Sequence, residues 1–182
     1  MASAVNKTNK GLKFSDNMPT EEVYCVPEKT GVNGTFVSNR NMVTKGGLVK
    51  KPRLELKDGQ IIKVSAEDGQ EILQAMIDSH ENGKFLGEIS IVPHDTPISK
   101  SKISFFNLIL DENSGCHTAI GSAYPRCIEG GLEMNEKELE AEGINVCSFH
   151  EDCVFGTKDM NIVGTTAEGE DVQIFKDGKF VI

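Results

Sequence analysis

Two side chains set two residues apart offer the sharpest chemistry in this chain: His150 and Asp152, with Glu151 between them. The segment Cys147 to Phe155 reads as a strand, whose period of two turns His150 and Asp152 to one face and Glu151 to the other. An imidazole beside a carboxylate on one sheet face offers two ligands to a hard or borderline cation. The same pattern serves a plain His-Asp hydrogen bond or a solvated strand face, and spacing alone favours those.

Other residues could join them. Along Glu88 to Val92, Ile89 and Ile91 point one way while Glu88, Ser90 and Val92 point the other. A core-facing Glu88 would need a cation or hydrogen bonds, and an exposed one would need nothing. His117 and Tyr124 lie seven residues apart, so a helical Asp111 to Tyr124 would put both on one face. A Tyr hydroxyl there could donate to a developing oxyanion, or the ring could be an ordinary half-buried Tyr. Glu21 and Glu22 follow Pro19-Thr20, where a turn could aim one carboxylate inward. Paired acids in such a place also act as helix-dipole partners. As a set, these carboxylates and imidazoles suit a dinuclear site in which bridging carboxylates balance two cations.

The elements that must position them are mostly strands. Arg53 to Leu56 and Ile61 to Val64 flank Lys57-Asp58-Gly59-Gln60, a hairpin signal. Glu67 to Ser79 has helical spacing of Ile72, Leu73, Met76 and Ile77, with Asn82-Gly83 as its stop. Ser104 to Leu110 is a further apolar strand candidate. Asn135 to Glu142 reads as a short helix, with Asn135 as N-cap, Glu138 completing a capping box and Gly143 as terminator. Asn161 to Thr165, Asp171 to Phe175 and Lys179 to Ile182 close the chain as strands, the last two joined at Lys176-Asp177-Gly178. The fold class expected is α+β, a mixed, largely antiparallel sheet with a few helices. Residues 1–13 read as a flexible polar lead-in and residues 14–182 as one domain.

Composition sets the outer bounds. Of 182 residues, 38% are apolar and 26% charged, the balance of a globular chain. The net charge of -9 comes without any basic cluster interleaved with aromatics, which disfavours nucleic acid as a partner. No apolar run is long enough to cross a bilayer, so no membrane partner is expected. The five cysteines, Cys25, Cys116, Cys127, Cys147 and Cys153, contain no C-x-x-C, and free thiols in a cytoplasmic setting are the simplest account. Nucleotide-binding glycine motifs are absent.

Six strings occur in one order: Asn17-Met18-Pro19-Thr20-Glu21-Glu22-Val23; Leu86-Gly87-Glu88; Val92-Pro93-His94-Asp95 with Pro97-Ile98-Ser99; Asp111-Glu112-Asn113 leading to Cys116-His117; Gly121-Ser122-Ala123-Tyr124-Pro125; and His150-Glu151-Asp152. Their order and spacing resemble the aminopeptidase T/aminopeptidase S family of bacterial metallo-aminopeptidases, from about Gly11 to the C-terminus. The resemblance implies the C-terminal, metal-binding domain of a two-domain aminopeptidase; family members carry an N-terminal domain before the Asn-Met-Pro string, and here, where a short polar lead precedes it, that domain is expected to be absent. It implies two divalent ions (zinc, cobalt or manganese) held by Glu22, with Glu21 as its substitute, and by Glu88, Glu112, His117, His150 and Asp152. Glu88 is the expected bridge, and His94 is given no metal. Tyr124 and Glu88 are the expected catalytic groups, the first steadying an oxyanion and the second, or Glu112, moving a proton. The substrate implied is a peptide, cleaved from its N-terminus, and the assembly a homodimer. The rival expectation is a non-catalytic module, stabilised by metal or dimerising.

Overall fold

The computed structural model describes residues 6–15 and 20–182. Residues 1–5 of the lead-in and Asn17, Met18 and Pro19 of the first family-like string lie outside the described residues. The lead-in begins with a small ribbon, β1 (Asn6–Lys7) against β2 (Lys13–Phe14).

The central element is a four-stranded antiparallel sheet. Its strands are β3 (Val23–Cys25), β9 (Leu86–Ile91), β10 (His117–Gly121) and β11 (His150–Val154), in the order β11-β10-β9-β3. Between β3 and β9 the chain builds β4 (Gly34–Val37), the ribbon β5 (Met42–Thr44) and β6 (Gly47–Val49), then β7 (Arg53–Lys57), β8 (Gln60–Ser65) and α1 (Gln70–Asp78). Strands β4, β7 and β8 form a second sheet. The β7–β8 hairpin turns at Asp58 and Gly59, whose φ values of 51° and 78° are the left-handed pair that Asp-Gly accommodates.

Helix α1 explains how the layers hold together. Leu73 and Ile77, four residues apart, share one face and are buried with Leu54, Leu56, Ile61 and Val64 from the hairpin. Leu86, Ile120 and Cys153, from the back of the central sheet, close the same core. Complete burial of each such Leu or Ile is worth about 1.5–3 kcal/mol. The helix starts at Gln70 rather than Glu67, because Glu67 and Asp68 are engaged by Lys50: the Glu67 N–H bonds the Lys50 carbonyl, and the Asp68 carboxylate pairs with Lys50 Nζ at 3.0 Å.

After β9 come α2 (Pro97–Ser101), α3 (Leu108–Glu112), β10, two single 3-10 turns (Pro125–Cys127 and Gly131–Glu133) and α4 (Glu136–Ala141). Asn135 caps α4 by accepting from the Lys137 and Glu138 amides, and Glu138 returns a bond to the Asn135 N–H, the expected capping box. The chain closes with β11 and a three-stranded sheet of β12 (Ile162–Thr165), β13 (Asp171–Lys176) and β14 (Lys179–Phe180). The α+β class and antiparallel character are as expected. Among the described residues no helix is long and apolar enough to cross a membrane.

Two local expectations fail. Ser104 to Leu110 is no strand: Asn107 accepts from the Leu110 amide and starts α3. Asp111 accepts from the Phe105 and Asn107 amides, locking the chain before that helix into a turn. Nor is Asp111 to Tyr124 helical. Helix α3 ends at Glu112, and residues 117–121 pair as a strand with neighbours on both sides. His117 and Tyr124 therefore do not share a helix face.

Candidate metal centre

The front face of the central sheet carries the candidate ligands, and strand register puts them there. Glu88, Ala119 and Asp152 stand opposite one another across β9, β10 and β11. Directly paired residues point to the same face, so two carboxylates flank a methyl group small enough to leave room above it. The next row sets His117 between Ser90 and Val154, and the row on the other side pairs Gly121 with His150. Glu151 pairs with Ile120 and faces the core, so the alternation expected of this strand is what the fold contains. Glu22 enters from the residue before β3, its neighbour's amide held by Asn113: the Glu21 N–H donates to Asn113 Oδ1 at 2.8 Å.

Two groups of ligand-type atoms result, each with its atoms within 4.8 Å of one another: Glu22, Glu88 and His117, and Glu88, His150 and Asp152. Glu88 belongs to both. Its Oε1 lies 3.8 Å from His117 Nε2 and its Oε2 lies 3.2 Å from His150 Nε2. His117 Nε2 is 3.1 Å from Glu22 Oε2, and His150 Nε2 is 3.6 Å from Asp152 Oδ1. Glu112 extends the second group through a hydrogen bond with Asp152. Glu21 and His94 belong to neither group; His94 Nδ1 lies 3.5 Å from Ser99 Oγ instead.

Both imidazoles are oriented from behind. His117 Nδ1 lies 3.1 Å from the Gly115 carbonyl, and His150 Nδ1 lies 2.7 Å from the Ser122 carbonyl. A carbonyl can only accept, so each Nδ1 carries a hydrogen and each Nε2 is turned toward carboxylate oxygens. A lone pair aimed at an anion requires a cation between them, either a second proton on the ring or a metal ion. The ring protons respond accordingly. Burial works to lower both histidines, but the carboxylates overcome it. Glu22 and Asp152 hold His117 up at about 9, and Asp152 and Glu88 hold His150 up at about 10.

The acids divide by environment. Burial raises Glu88, partly offset by its bond to His150. Burial and the charge of Asp152 push Glu112 up to about 8. Asp152 resists its own burial and stays below the usual range, because His150, His117 and the Glu112 bond favour its charged form. Asp152 Oδ1 is buried with no hydrogen-bond partner, an acceptor with room for a cation. Mixed nitrogen and oxygen donors, with both Nδ1 atoms fixed by carbonyls, fit a divalent cation.

Tyr124 lies outside the sheet, at the entry to the first 3-10 turn. Its ring sits 4.6 Å from that of His150 and 5.8 Å from that of Tyr24. Burial and then the charges of Glu88, Asp152 and Glu112 raise its hydroxyl, keeping it a donor. Three contributors escaped the sequence reading. Ser90 Oγ donates to Glu22 Oε2 at 2.8 Å, Asn113 fixes the Glu21 backbone, and Tyr24 packs against Tyr124. Ser90 was within reach, since it alternates onto the face of Glu88. Asn113 and Tyr24 act through long-range contacts that no local pattern announces.

Gly87 shows how tightly this face is built. A Cβ at that position would lie 2.1 Å from the Ser122 carbonyl oxygen, the atom that orients His150. The glycine of Leu86-Gly87-Glu88 is therefore required by close approach rather than by a turn.

Comparison with known proteins gives the family of the chain. The family model described as thermophilic metalloprotease (M29) matches residues 2–180. The chain is 42% identical over 179 residues to aminopeptidase AmpS of Bacillus subtilis, covering 98% of the chain and 43% of that protein. It is 39% identical over 173 residues to aminopeptidase 2 of Geobacillus stearothermophilus, covering 95% of the chain and 42% of that protein. The solved structure of wild-type AmpT from Thermus thermophilus superposes with a TM-score of 0.89 at 31% identity, covering 98% of the chain and 44% of that structure. The chain thus spans less than half the length of these relatives.

Proposed function

This chain belongs to the thermophilic metalloprotease (M29) family, and from that membership we propose that it is the metal-holding part of an aminopeptidase that releases N-terminal residues from peptides. The observation that carries the proposal is the Glu88 carboxylate, shared between two ligand groups whose histidines are both fixed through Nδ1. In this reading Glu22, Glu88 and His117 hold one divalent cation, and Glu88, His150 and Asp152 hold a second. Bound there, such cations supply Lewis acidity toward a peptide carbonyl and acidify water near neutral pH.

The chain's own groups do the rest. The Gly115 and Ser122 carbonyls hold the two rings in one tautomer. Glu112, half-buried and bonded to Asp152, is placed for proton transfer at the edge of the second group. Glu88 is the alternative carrier. Tyr124, whose hydroxyl stays protonated, can donate a hydrogen bond to an oxyanion forming near His150. Five free thiols suit the reducing cytoplasm, and a homodimer is the assembly proposed.

The test is chelator-stripped protein titrated with zinc, cobalt or manganese, followed by metal analysis and turnover of a chromogenic amino-acid amide. Metal-dependent release of the chromophore supports the reading; absence of bound metal overturns it. A second reading rests on the share of the relatives that the chain covers: a metal-stabilised or dimerising module without turnover. Stoichiometric metal with no turnover selects that one.

A further inference from the structure

Behind the metal face, on the other side of β11, a cleft of about 610 Å³ opens between α1, the turn of the β5–β6 ribbon and the residues leading into β11. That size lies within the range of roughly 300–1,000 Å³ typical of small-molecule sites. Its walls are mostly apolar, including Ile72, Ala75 and Met76 on one side and Phe149 on the other. One acidic side chain stands out at this lining: Glu151, only 7% exposed, with its Oε2 buried and without a hydrogen-bond partner. A carboxylate taken out of water without a partner is costly, and a donor arriving with a ligand removes that cost. Glu71, in the first turn of α1, adds a second negative charge to the same lining, while Lys45 stands exposed at the ribbon turn.

We propose that this cleft is a binding site for a small molecule with an apolar body and a single ammonium group, the ammonium seated on Glu151 and the body on Ile72, Met76 and Phe149. The site is separate from the metal centre, because Glu151 pairs with Ile120 and faces away from His150 and Asp152.

The experiment follows the Met76 methyl signal by NMR in protein labelled at the methionine methyls, in chelator so that the amine meets no metal. Phenethylamine, phenethyl alcohol and 3-phenylpropanoate share a body and differ in charge. The amine should shift Met76 at millimolar concentration and bind about tenfold more tightly than the alcohol, the margin of one charge-assisted bond, with the carboxylate weakest. Glu151→Gln should erase the difference between amine and alcohol. Ala75→Phe, at an exposed position on α1, should fill the cleft and abolish binding of the amine with the fold intact, and it serves as the test if Glu151→Gln misfolds. Equal binding of amine and alcohol by the unsubstituted chain, preference for the carboxylate, a preference for the amine that survives Glu151→Gln, amine binding that survives Ala75→Phe, or no shift of Met76 overturns the proposal.

Discussion

Glu88→Gln is the perturbation that bears most directly on the metal centre. The change keeps the side chain's size, removes the negative charge that both groups share, and replaces one of the two oxygens, Oε1 toward His117 or Oε2 toward His150, by an amide nitrogen. Structural zinc binding amounts to about 10–16 kcal/mol over four ligands, or roughly 3 kcal/mol per ligand, about 100-fold in Kd. Glu88→Gln should therefore weaken one ion by about that factor and the other, which keeps an oxygen but loses its negative charge, by less, whereas Asp152→Asn and Glu22→Gln should each weaken a single ion. Glu151→Gln, on the far face of β11, should weaken neither. The assay is competition against a chromophoric chelator, with metal content measured after dialysis and far-UV circular dichroism to confirm the fold. If Glu88→Gln leaves one site at full affinity, the shared-carboxylate arrangement is wrong. If Glu151→Gln is as damaging as Asp152→Asn, the strand register is not the one that matters for metal.

Other expectations follow from the same geometry. In the metal-free chain, His117 and His150 hold protons at about 9 and 10, above an ordinary 6.5, and Glu112 holds one at about 8, above 4.5. Their protonated forms stabilise the fold fully below the unfolded values, and that stability is lost as pH rises through the folded ones. Urea midpoints of chelator-treated protein should thus fall from about pH 6 to about pH 10, and excess zinc should remove the decline by replacing the protons; a midpoint that climbs without metal contradicts the assignment. Gly87→Ala should cost on the order of 1–3 kcal/mol and also weaken metal, since the Ser122 carbonyl must move; thermal melts and the same chelator competition read both. Asn135→Ala should cost about 1 kcal/mol through loss of the α4 cap while leaving metal affinity unchanged.

Much of this centre is legible in local patterns. The alternation of His150, Glu151 and Asp152 and that of Glu88 and Ser90 are period-two signals, and the sheet uses both as written. The Asp58-Gly59 turn and the Asn135 capping box are equally local, each set by the side chains and backbone angles of a few neighbours. His117 is the instructive failure. Small residues around it suggest helix, yet pairing with β9 and β11 makes it a strand residue. Its own alternation with Ala119 and Gly121 was present but short, and tertiary pairing decided between the two periods. The run Ser104 to Leu110 is ambiguous for a different reason: apolar runs of that length serve strands and helices alike, and the deciding bonds run to the Asp111 carboxylate and the Asn107 side chain. Which of Glu21 and Glu22 faces inward depends on Asn113 and Ser90, far away in the chain.

The row of Glu88, Ala119 and Asp152 also dictates an order of events in time. The grouped acids and imidazoles run from position 22 to position 152 and stand on or beside four different strands: Glu22, Glu88 and His117 come together only when β3, β9 and β10 have paired, and Glu88, His150 and Asp152 only when β11 has docked. A nascent chain whose strands have not yet paired has carboxylates and imidazoles but no chelate. Cations then act as a latch rather than a nucleus: ligands joined only across paired strands should slow unfolding more than they speed folding. A cation held by Glu88, His150 and Asp152 is taken up last, and it certifies that β11 has closed the sheet.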